Sequence, residues 1–259
     1  MTRFELCGVS VRHTASAPWL FEDVELALSP GIYGLFGPNG SGKTTLLECM
    51  AGIRPFGAGE ARFVLRDSPL AGKRLRERLG YVSQQFAFYE EMRADRYLTY
   101  VAGMKLIPSH LIADRVTEVL ESFGLADYRK FRIRSLSTGQ RRRLSIAQAM
   151  LNDPHLLLMD EPLEGLDTEE RANVMERLLE LAGDGVVIMA SHILTEIEHW
   201  VEQVLFLSDG RVEGPKTPRQ WKSALLHEDV LDGAASGSWS EWEPTLEDVY
   251  LAQMRRRRR

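Results

Sequence analysis

The stretch IYGLFGPNGSGKTT, residues 32–45, places an apolar run directly before a glycine-rich loop and a Lys-Thr-Thr sequence. From Gly37 to Thr44 it fits the pattern G-x-x-x-x-G-K-[ST] in full. Glycines allow backbone torsions that other residues resist, so successive N–H groups can converge on one anion. A helix that begins near Lys43 adds the positive end of its dipole at the same point. The stretch therefore predicts a buried strand, a phosphate-binding loop and a helix in succession.

The side chains after the glycines supply the remaining chemistry for a nucleoside triphosphate. Lys43 brings a mobile cation to the β- and γ-phosphates, and the hydroxyl of Thr44 can ligate Mg²⁺. Such a loop alone indicates only an NTPase, because kinases, GTPases and motors share it. We expect the nucleotide to contact Gly37, Pro38, Asn39, Gly40, Ser41, Gly42, Lys43, Thr44 and Thr45.

Hydrophobic patterning predicts the rest of the fold. Near-continuous apolar strands separated by helices are typical of a parallel sheet covered on both faces, and here a helical stretch interrupts that alternation. The fold class predicted is therefore α/β. The predicted strands are 3–12, 19–28, 32–36, a pair at 60–65 and 79–82, 155–160, 186–190 and 204–207; the predicted helices are 43 to about 52, most of 90–152, 168–182 and 194–200.

Composition excludes several classes of protein. With 44% apolar and 27% charged residues, the 259-residue chain has material for one large α/β domain with a smaller lobe. No apolar run approaches the roughly 18 residues of a membrane helix, so we expect another chain to supply any path through a bilayer. The net charge of −5 includes five arginines at 255–259, and the acidic body argues against nucleic-acid binding. Cys7 and Cys49 lack paired spacing and indicate thiols in a reducing cytosol.

Two acids follow the apolar run LLLM, residues 156–159. The carboxyl end of a strand in a parallel sheet is where ligands bind. Asp160 can hold Mg²⁺ through its water shell, and Glu161 can polarise an attacking water. Adjacent strand residues point to opposite faces, so the two acids have different tasks. A helix cap or a surface turn before Pro162 is the alternative, and the phosphate-binding loop elsewhere in the chain favours the functional interpretation.

The segment LSTGQ, residues 136–140, opens a predicted helix that runs to Met150. A Ser/Gly-rich helix start is a second anion site, and two such sites for one nucleotide suggest that this one serves another molecule. Here the chain resembles the ABC ATPases, whose signature reads Leu-Ser-Gly-Gly-Gln. We call residues 136–140 the signature segment.

Three further segments follow in the order of that family. Gln84 matches the Q-loop, the sequence EGLD at 164–167 matches the D-loop, and His192 matches the H-loop. The resemblance covers residue 3 to about residue 214. It implies a P-loop NTPase with a RecA-like mostly parallel sheet, an N-terminal antiparallel β subdomain and an α-helical subdomain inserted at about 86–152. It also implies an ABC ATPase cassette at 1–225 and a C-terminal extension with a basic tail at 226–259.

The resemblance further implies which residues act on ATP and Mg²⁺. It makes Glu161, His192 and Gln84 the catalytic residues, and Thr44, Gln84 and Asp160 the metal ligands. In the family two cassettes face each other head to tail, with ATP between the P-loop of one and the signature of the other. Homodimer and heterodimer both stay open. The implied nucleotide contacts from these other motifs are Ser137, Gly139, Gln140 and Asp167.

The sequence departs from the family pattern at three places. Thr138 replaces the first signature glycine, while Ser137 and Gly139 are kept, and we expect this change to be tolerated. The aromatic residue that stacks on adenine has no clear counterpart, so either His13 substitutes for it or stacking is weak. Glu164 begins the D-loop where a small residue is common, and the sequence offers no physical reason for it.

The leading functional hypothesis is a transport motor on the cytoplasmic, inner face of the plasma membrane, driving a separate membrane-spanning subunit. The segment PTLEDVYL, 244–251, resembles the C-terminal end of exporter cassettes of the drug, polysaccharide and antibiotic-resistance type, which favours export. The alternative is a non-transport ABC ATPase, but the chain lacks the tandem cassettes, coiled-coil insertions and zinc motifs usual there. The arginines at 255–259 are either a solvated tail or a contact for anionic headgroups.

The helical lobe beside Gln84 would form the docking groove for the membrane subunit. Aromatic residues in this lobe are either part of that groove or part of the core, and for any single one the core is the better interpretation. They are Phe86, Phe88, Tyr89, Tyr97 and Tyr100.

Overall fold

The apolar strand ahead of the phosphate loop lies inside a six-stranded sheet, in the part of the chain described by the computed structural model: residues 1–14, 16–231 and 244–256. The strands are β1 (Arg3–Arg12), β2 (Trp19–Leu28), β3 (Gly31–Phe36), β4 (Ala58–Leu65), β5 (Ser68–Leu70), β6 (Leu79–Val82), β7 (Leu156–Asp160), β8 (Val186–Ser191), β9 (Gln203–Ser208) and β10 (Arg211–Lys216). The helices are α1 (Lys43–Met50), α2 (Gly72–Arg76), α3 (Ala94–Met104), α4 (Ser109–Ser122), α5 (Thr138–Met150), α6 (Thr168–Ala182), α7 (Leu194–Ile197), α8 (Pro218–Leu231) and α9 (Leu246–Arg256).

The larger sheet has the strand order β10-β9-β3-β8-β7-β6. All its neighbouring strands run parallel except β10, which pairs antiparallel with β9. Every residue of β3, β7 and β8 is buried, as expected for parallel strands that are covered on both faces. Their ends lie in register, because Phe36 pairs with Ser191 and Asp160 pairs with Ala190. The loops after these strands therefore leave the sheet at one edge.

Alternate residues of β3 belong to two different cores. Ile32 and Phe36 pack with the helices, whereas Tyr33 and Leu35 pack toward a second, antiparallel sheet of order β2-β1-β4-β5. The period of two along a strand places these side chains on opposite faces. A mostly parallel sheet with an antiparallel β subdomain on one face is thus confirmed.

The helical lobe consists of α3, α4 and α5. Residues spaced three or four apart face its interior, including Leu98 and Ala102 on α3 and Val116 and Leu120 on α4. This spacing is what an amphipathic helix needs in order to bury one stripe against its neighbours. The lobe stands between β6 and β7 in the chain, which is the insertion that the sequence predicted.

One predicted pairing is wrong. The strands at 60–65 and 79–82 lie in different sheets: β4 pairs with β1 and β5, whereas β6 pairs with β7. The chain reverses after β4 at Arg66 and Asp67, which both have positive φ, so β5 takes the place beside β4. The residues of β6 are mostly buried and suit the parallel sheet instead.

The C-terminal part holds more structure than the patterning predicted. Strand β10 and helices α8 and α9 follow residue 210, where apolar periodicity is weak. Residues 232–240 (DGAASGSWS) have the composition of a flexible link, but they lie outside the described residues, as do the arginines at 257–259. Among the residues that the structure describes, no helix combines the length and apolar character needed to cross a bilayer.

Because α5 lies close to β6, adding a side chain at Gly80 should strongly destabilise the protein. A Cβ on Gly80 would lie 2.7 Å from the carbonyl oxygen of Ala149, whereas a Cβ on Gly103 would meet nothing within 4 Å. Gly80→Ala should lower the free energy of unfolding by about 1–3 kcal/mol. Gly103→Ala should leave it unchanged or raise it by up to about 1 kcal/mol. Urea unfolding measures both, and equal effects would contradict this packing.

Candidate functional site

A cavity of about 470 Å³ opens at the edge where β3 and β7 end. It lies in front of the phosphate loop and the first turn of α1, as expected for the carboxyl ends of parallel strands. Its lining is His13, Leu20, Asn39, Gly40, Gly42, Lys43, Thr44, Thr45, Gln84, Asp160 and Glu161.

The phosphate loop needs its glycines for two reasons. Gly40 and Gly42 have φ of +80° and +100°, a region that residues with a Cβ rarely adopt. Gly37 has no room for a side chain, because a Cβ there would lie 2.1 Å from the carbonyl oxygen of Leu207. A side chain at any of these three positions would therefore clash or strain the loop.

Lys43 crosses the phosphate loop from the start of α1. Its Nζ donates to the carbonyl oxygens of Gly37 (2.7 Å) and Pro38 (3.2 Å). Burial lowers the pKa of Lys43, and the carboxylates of Glu161 and Asp160 oppose that shift. Within the described chain the hydroxyl of Ser41 is buried without a hydrogen-bond partner. Buried polar atoms normally have a partner, so this loop fits a ligand that accepts hydrogen bonds.

Asp160 joins the end of β7 to the phosphate-loop helix. Its Oδ2 accepts a hydrogen bond of 2.5 Å from the hydroxyl of Thr44, 116 residues away in the sequence. Burial raises the pKa of Asp160, and the Thr44 hydroxyl and the Lys43 ammonium oppose that shift. A hydroxyl and a carboxylate side by side are a suitable donor set for Mg²⁺, which prefers oxygen ligands.

Glu161 turns away from Asp160 in a strained backbone conformation. Its φ is +50°, and its N–H donates to the carbonyl oxygen of Ala190 (2.9 Å) on β8. Strain of this kind costs about 1–3 kcal/mol and persists where the surrounding structure holds it. Two contacts fix the carboxylate: Oε2 accepts from the Ser191 hydroxyl (3.2 Å), and Oε1 lies 2.7 Å from Nδ1 of His192.

The contact of His192 with Glu161 also orients the imidazole. If the carboxylate is ionised, Nδ1 carries the hydrogen of this 2.7 Å contact, and Nε2 is the nitrogen left for another molecule. The side chain of His192 is 42% exposed, so that nitrogen can be reached. The pair therefore offers a buried carboxylate acceptor and an accessible imidazole next to the cavity.

The predicted nucleotide contacts of the other motifs lie apart from the cavity. Ser137 is the exposed N-cap of α5, where its hydroxyl accepts from the N–H of Gln140. Asp167 is likewise the exposed N-cap of α6, accepting from the N–H of Glu170 (2.8 Å). None of the four residues Ser137, Gly139, Gln140 and Asp167 lines the cavity of its own chain within the described residues.

Two residues near the site escaped the sequence analysis. Leu20 lines the cavity and would be 2.9 Å from a Cβ on Gly42, but its place in an alternating strand gave no signal. Arg142 is only 4% exposed and reaches the carbonyl oxygen of Gln84. The run of three arginines at 141–143 did not indicate which of them is buried.

Comparison with known proteins decides the family. Residues 21–164, more than half of the chain, match the family described as ABC transporter. The chain belongs to the ABC transporter family. The resemblance that the motifs carried is thus confirmed.

Two relatives of this ABC cassette and one solved structure illustrate the match. An uncharacterised ABC transporter ATP-binding protein of Nostoc sp. is 38% identical, covering 70% of this chain and 54% of its own length. The Nod factor export ATP-binding protein I of Cupriavidus metallidurans is 32% identical, and the match covers 82% of this chain and 70% of that protein. A structure described as the ATP-binding subunit of an ABC transporter superposes with a TM-score of 0.78 at 22% identity, covering 97% of this chain and 99% of that chain.

The relatives do not share one direction of transport. Proteins named for methionine import and molybdenum import match this cassette as well. The chain spans 54% to 61% of the length of the first three curated relatives.

Burial of Asp160 predicts a pH-dependent cost in stability. Because its pKa is raised in the folded state, the folded chain holds that proton more tightly than the unfolded chain. The contribution of Asp160 to stability therefore falls as the pH rises from the unfolded-state pKa of about 4 through the higher folded-state pKa. In the absence of nucleotide, Asp160→Asn should raise the melting temperature by a few degrees at pH 7.5, and by less at pH 4.

The matched control is Asp114→Asn, because Asp114 is exposed on α4. It should not change the melting temperature at either pH. Calorimetry at the two pH values measures all three proteins. An Asp160→Asn protein that is less stable than the wild type at pH 7.5 would contradict this account.

Proposed function

We propose that this ABC cassette binds ATP with Mg²⁺, hydrolyses the ATP, and thereby powers transport through a separate membrane-spanning subunit. The observation that carries the proposal is the hydrogen bond between Thr44 and Asp160, which places the phosphate loop and Glu161 around one cavity. The roles below, and the division of the chain near residue 225, belong to this proposal.

The chain offers ATP a cradle of donors. Backbone N–H groups of 37–42 and the ammonium of Lys43 would bind the β- and γ-phosphates, and the unpartnered hydroxyl of Ser41 lies in the same loop. His13 and Leu20 line the same cavity, so they are the residues available for adenine. Leu20 would offer adenine an apolar surface, and His13 a ring, in place of the aromatic residue that the family uses.

The metal ligands that we propose are Thr44, Asp160 and Gln84. All three line the cavity, and Thr44 and Asp160 are already in hydrogen-bond contact. When bound, Mg²⁺ would neutralise charge on the β- and γ-phosphates. Asp160 is buried beside Lys43, so the site brings its own cation close to where phosphate charge would lie.

Glu161 and His192 are the residues that we propose to act on the attacking water. The carboxylate of Glu161 would orient the water and take its proton, as a general base does. Its two existing contacts, to Ser191 and His192, hold the carboxylate in place before any substrate binds. His192 would use its exposed side of the ring to contact the γ-phosphate.

A second cassette would complete the site. Ser137 and Asp167 are exposed helix caps away from the cavity of their own chain, so another chain can use them. Each belongs to a helix N-terminus, where an anion is favoured. We therefore propose a head-to-tail dimer, homomeric or heteromeric, in which Ser137 and Gly139 of one chain face the phosphates held by the other.

A groove beside the Q-loop would receive the membrane subunit. It has a volume of about 620 Å³ and is lined by residues of α2, α3 and the segment before α3. The core interpretation fits Tyr97, which is 5% exposed, but not Tyr89 and Tyr100, which are 57% and 44% exposed. These two rings meet edge to face at 5.6 Å on the groove wall. The cassette would then sit on the cytoplasmic face of the plasma membrane.

Export is the direction that we propose. The segment that resembles the exporter end forms α9, whose Leu246 and Val249 are buried and whose Tyr250 stacks on Phe206 at 6.0 Å. The described start of α9 is thus packed against the cassette. Relatives named for export support this direction, and relatives named for import leave the cargo and its direction as part of the proposal.

Two substitutions test ATP binding and hydrolysis separately. Lys43→Ala should abolish turnover and strongly weaken ATP binding, because the loop loses its cation. Glu161→Gln should lower turnover on the order of 10²-fold or more while ATP binding is kept, because only the base is lost. Turnover is measured by phosphate release, and binding by a fluorescent ATP analogue.

The control variants are Lys130→Ala and Glu180→Gln, because both residues are exposed and lie away from the cavity. Both should keep wild-type turnover and binding. Unchanged turnover in Lys43→Ala would remove the phosphate loop from the mechanism, and unchanged turnover in Glu161→Gln would show that another group is the base.

A further inference from the structure

Arg142 is a buried cation at the meeting point of three functional segments. It lies on α5, two residues after the signature segment, and its side chain is 4% exposed. Its Nη1 donates to the carbonyl oxygen of Gln84 (3.2 Å), and its Nε donates to the carbonyl oxygen of Glu164 (3.3 Å). Its Nη2 reaches the Glu164 carboxylate at 3.4 Å. One side chain thus touches the Q-loop, the D-loop and the signature helix.

The burial of this guanidinium makes its contacts obligatory. Burial lowers the pKa of Arg142, and the carboxylates of Glu164, Glu161 and Asp160 oppose the shift. The Cζ atom of the guanidinium also lies over the ring of Phe86, 4.3 Å from its centroid. A buried charge without partners is costly, so Arg142 stays stable only while Gln84 and Glu164 remain in reach. This gives Glu164 a physical role that the sequence alone did not provide.

The next residue of α5 holds the other end of the D-loop. Nη2 of Arg143 donates to Oε1 of Glu170 (2.8 Å), and Oε2 of Glu170 accepts from the N–H of Asp167 (3.2 Å). A Cβ on Gly139 would lie 2.8 Å from the same Glu170 carboxylate. Consecutive arginines of one helix therefore hold residues 164–167 at both ends. Only Arg142 also reaches Gln84.

We propose that Arg142 and Glu164 are positioning residues, which make the Q-loop of a chain move together with its own signature helix and D-loop. Gln84 lines the cavity of its own chain, whereas the signature segment and Asp167 do not. Arg142 joins these two sets of residues inside one chain. A change at Gln84 is therefore transmitted to the surface that meets the second cassette. The expected change in kcat rests on the proposed function, whereas the linkage of the Q-loop to the signature helix and the D-loop does not.

Hydrogen exchange tests the linkage without nucleotide and without turnover. Arg142→Gln should raise the exchange rate in peptides covering 83–88 and 162–168 together, because both backbones lose the same donor. Glu164→Ala should raise it in both peptides to a smaller degree, since the carbonyl contacts remain. Arg143→Gln is the matched control, and should raise exchange in 162–168 but not in 83–88. Glu90→Gln removes the charge that pairs with Arg141, another arginine of α5. It should change the exchange rate of neither peptide.

Steady-state ATP hydrolysis tests the consequence. Arg142→Gln should lower kcat on the order of tenfold and leave KM for ATP within about twofold, because the phosphate loop and Lys43 keep their contacts. Glu164→Ala should lower kcat about threefold, and the double variant should match Arg142→Gln alone, since the two residues act as one unit. Arg142→Lys keeps the charge but loses the planar guanidinium with its several N–H donors, and should restore only part of kcat.

Three results would overturn the inference. One is that Arg142→Gln speeds exchange in peptide 162–168 but not in 83–88, because the Q-loop would then be independent of Arg142. Another is a double variant whose loss of kcat equals the product of the single losses. The third is a lower melting temperature with normal kcat per folded molecule, which would make Arg142 structural only. If the wild type hydrolyses no ATP, the proposed function fails, and the exchange experiment still decides the linkage.

Discussion

Three buried parallel strands end in register at one edge of the sheet, and the other features of the site depend on this alignment. Because Phe36 pairs with Ser191 and Asp160 with Ala190, the chain leaves β3, β7 and β8 at the same level. The phosphate loop, the acid pair and the His192 loop are therefore neighbours, although Gly37 and His192 are 155 residues apart in the sequence. The hydrogen bond from Thr44 to Asp160 and the contact of His192 with Glu161 both cross this edge. Full burial of these strands fixes their register, since a slip by one residue would exchange the faces of every side chain.

The sequence was most informative where the pattern is local. The apolar run 32–36, the glycines after it and the run 156–159 predicted strands, loop and acids at the places where the structure has them. Pairing between distant strands was not predictable in the same way, because nothing local in AGEARFVL (β4) or LGYV (β6) marks the sheet that each strand joins. Burial of one arginine out of three, and the backbone strain at Glu161, depend on neighbours that are far away in the sequence. Leu20 enters the cavity for the same reason.

The two halves of the proposed site lie on different parts of one chain. The cavity has the phosphate loop, the proposed metal donors and the proposed base, while the signature segment and the D-loop cap α5 and α6 elsewhere. Arg142 and Arg143 hold that outward-facing part as one unit, and Arg142 also touches the Q-loop. Helix caps that are exposed and already satisfied by their own Gln140 and Glu170 keep their shape without a ligand. This arrangement is suited to a site that only a second chain completes.

The most direct test of that claim is the mass of the Glu161→Gln protein in solution with ATP and Mg²⁺, measured by size-exclusion chromatography with light scattering. If ATP stays intact between the phosphate loop of one chain and Ser137 and Gly139 of another, the protein should be monomeric without ATP and dimeric with it. The added substitution Ser137→Arg should keep it monomeric, because a large cation would fill the space at the N-terminus of α5. A protein that binds ATP but stays monomeric, or a dimer that survives Ser137→Arg, would contradict the shared site.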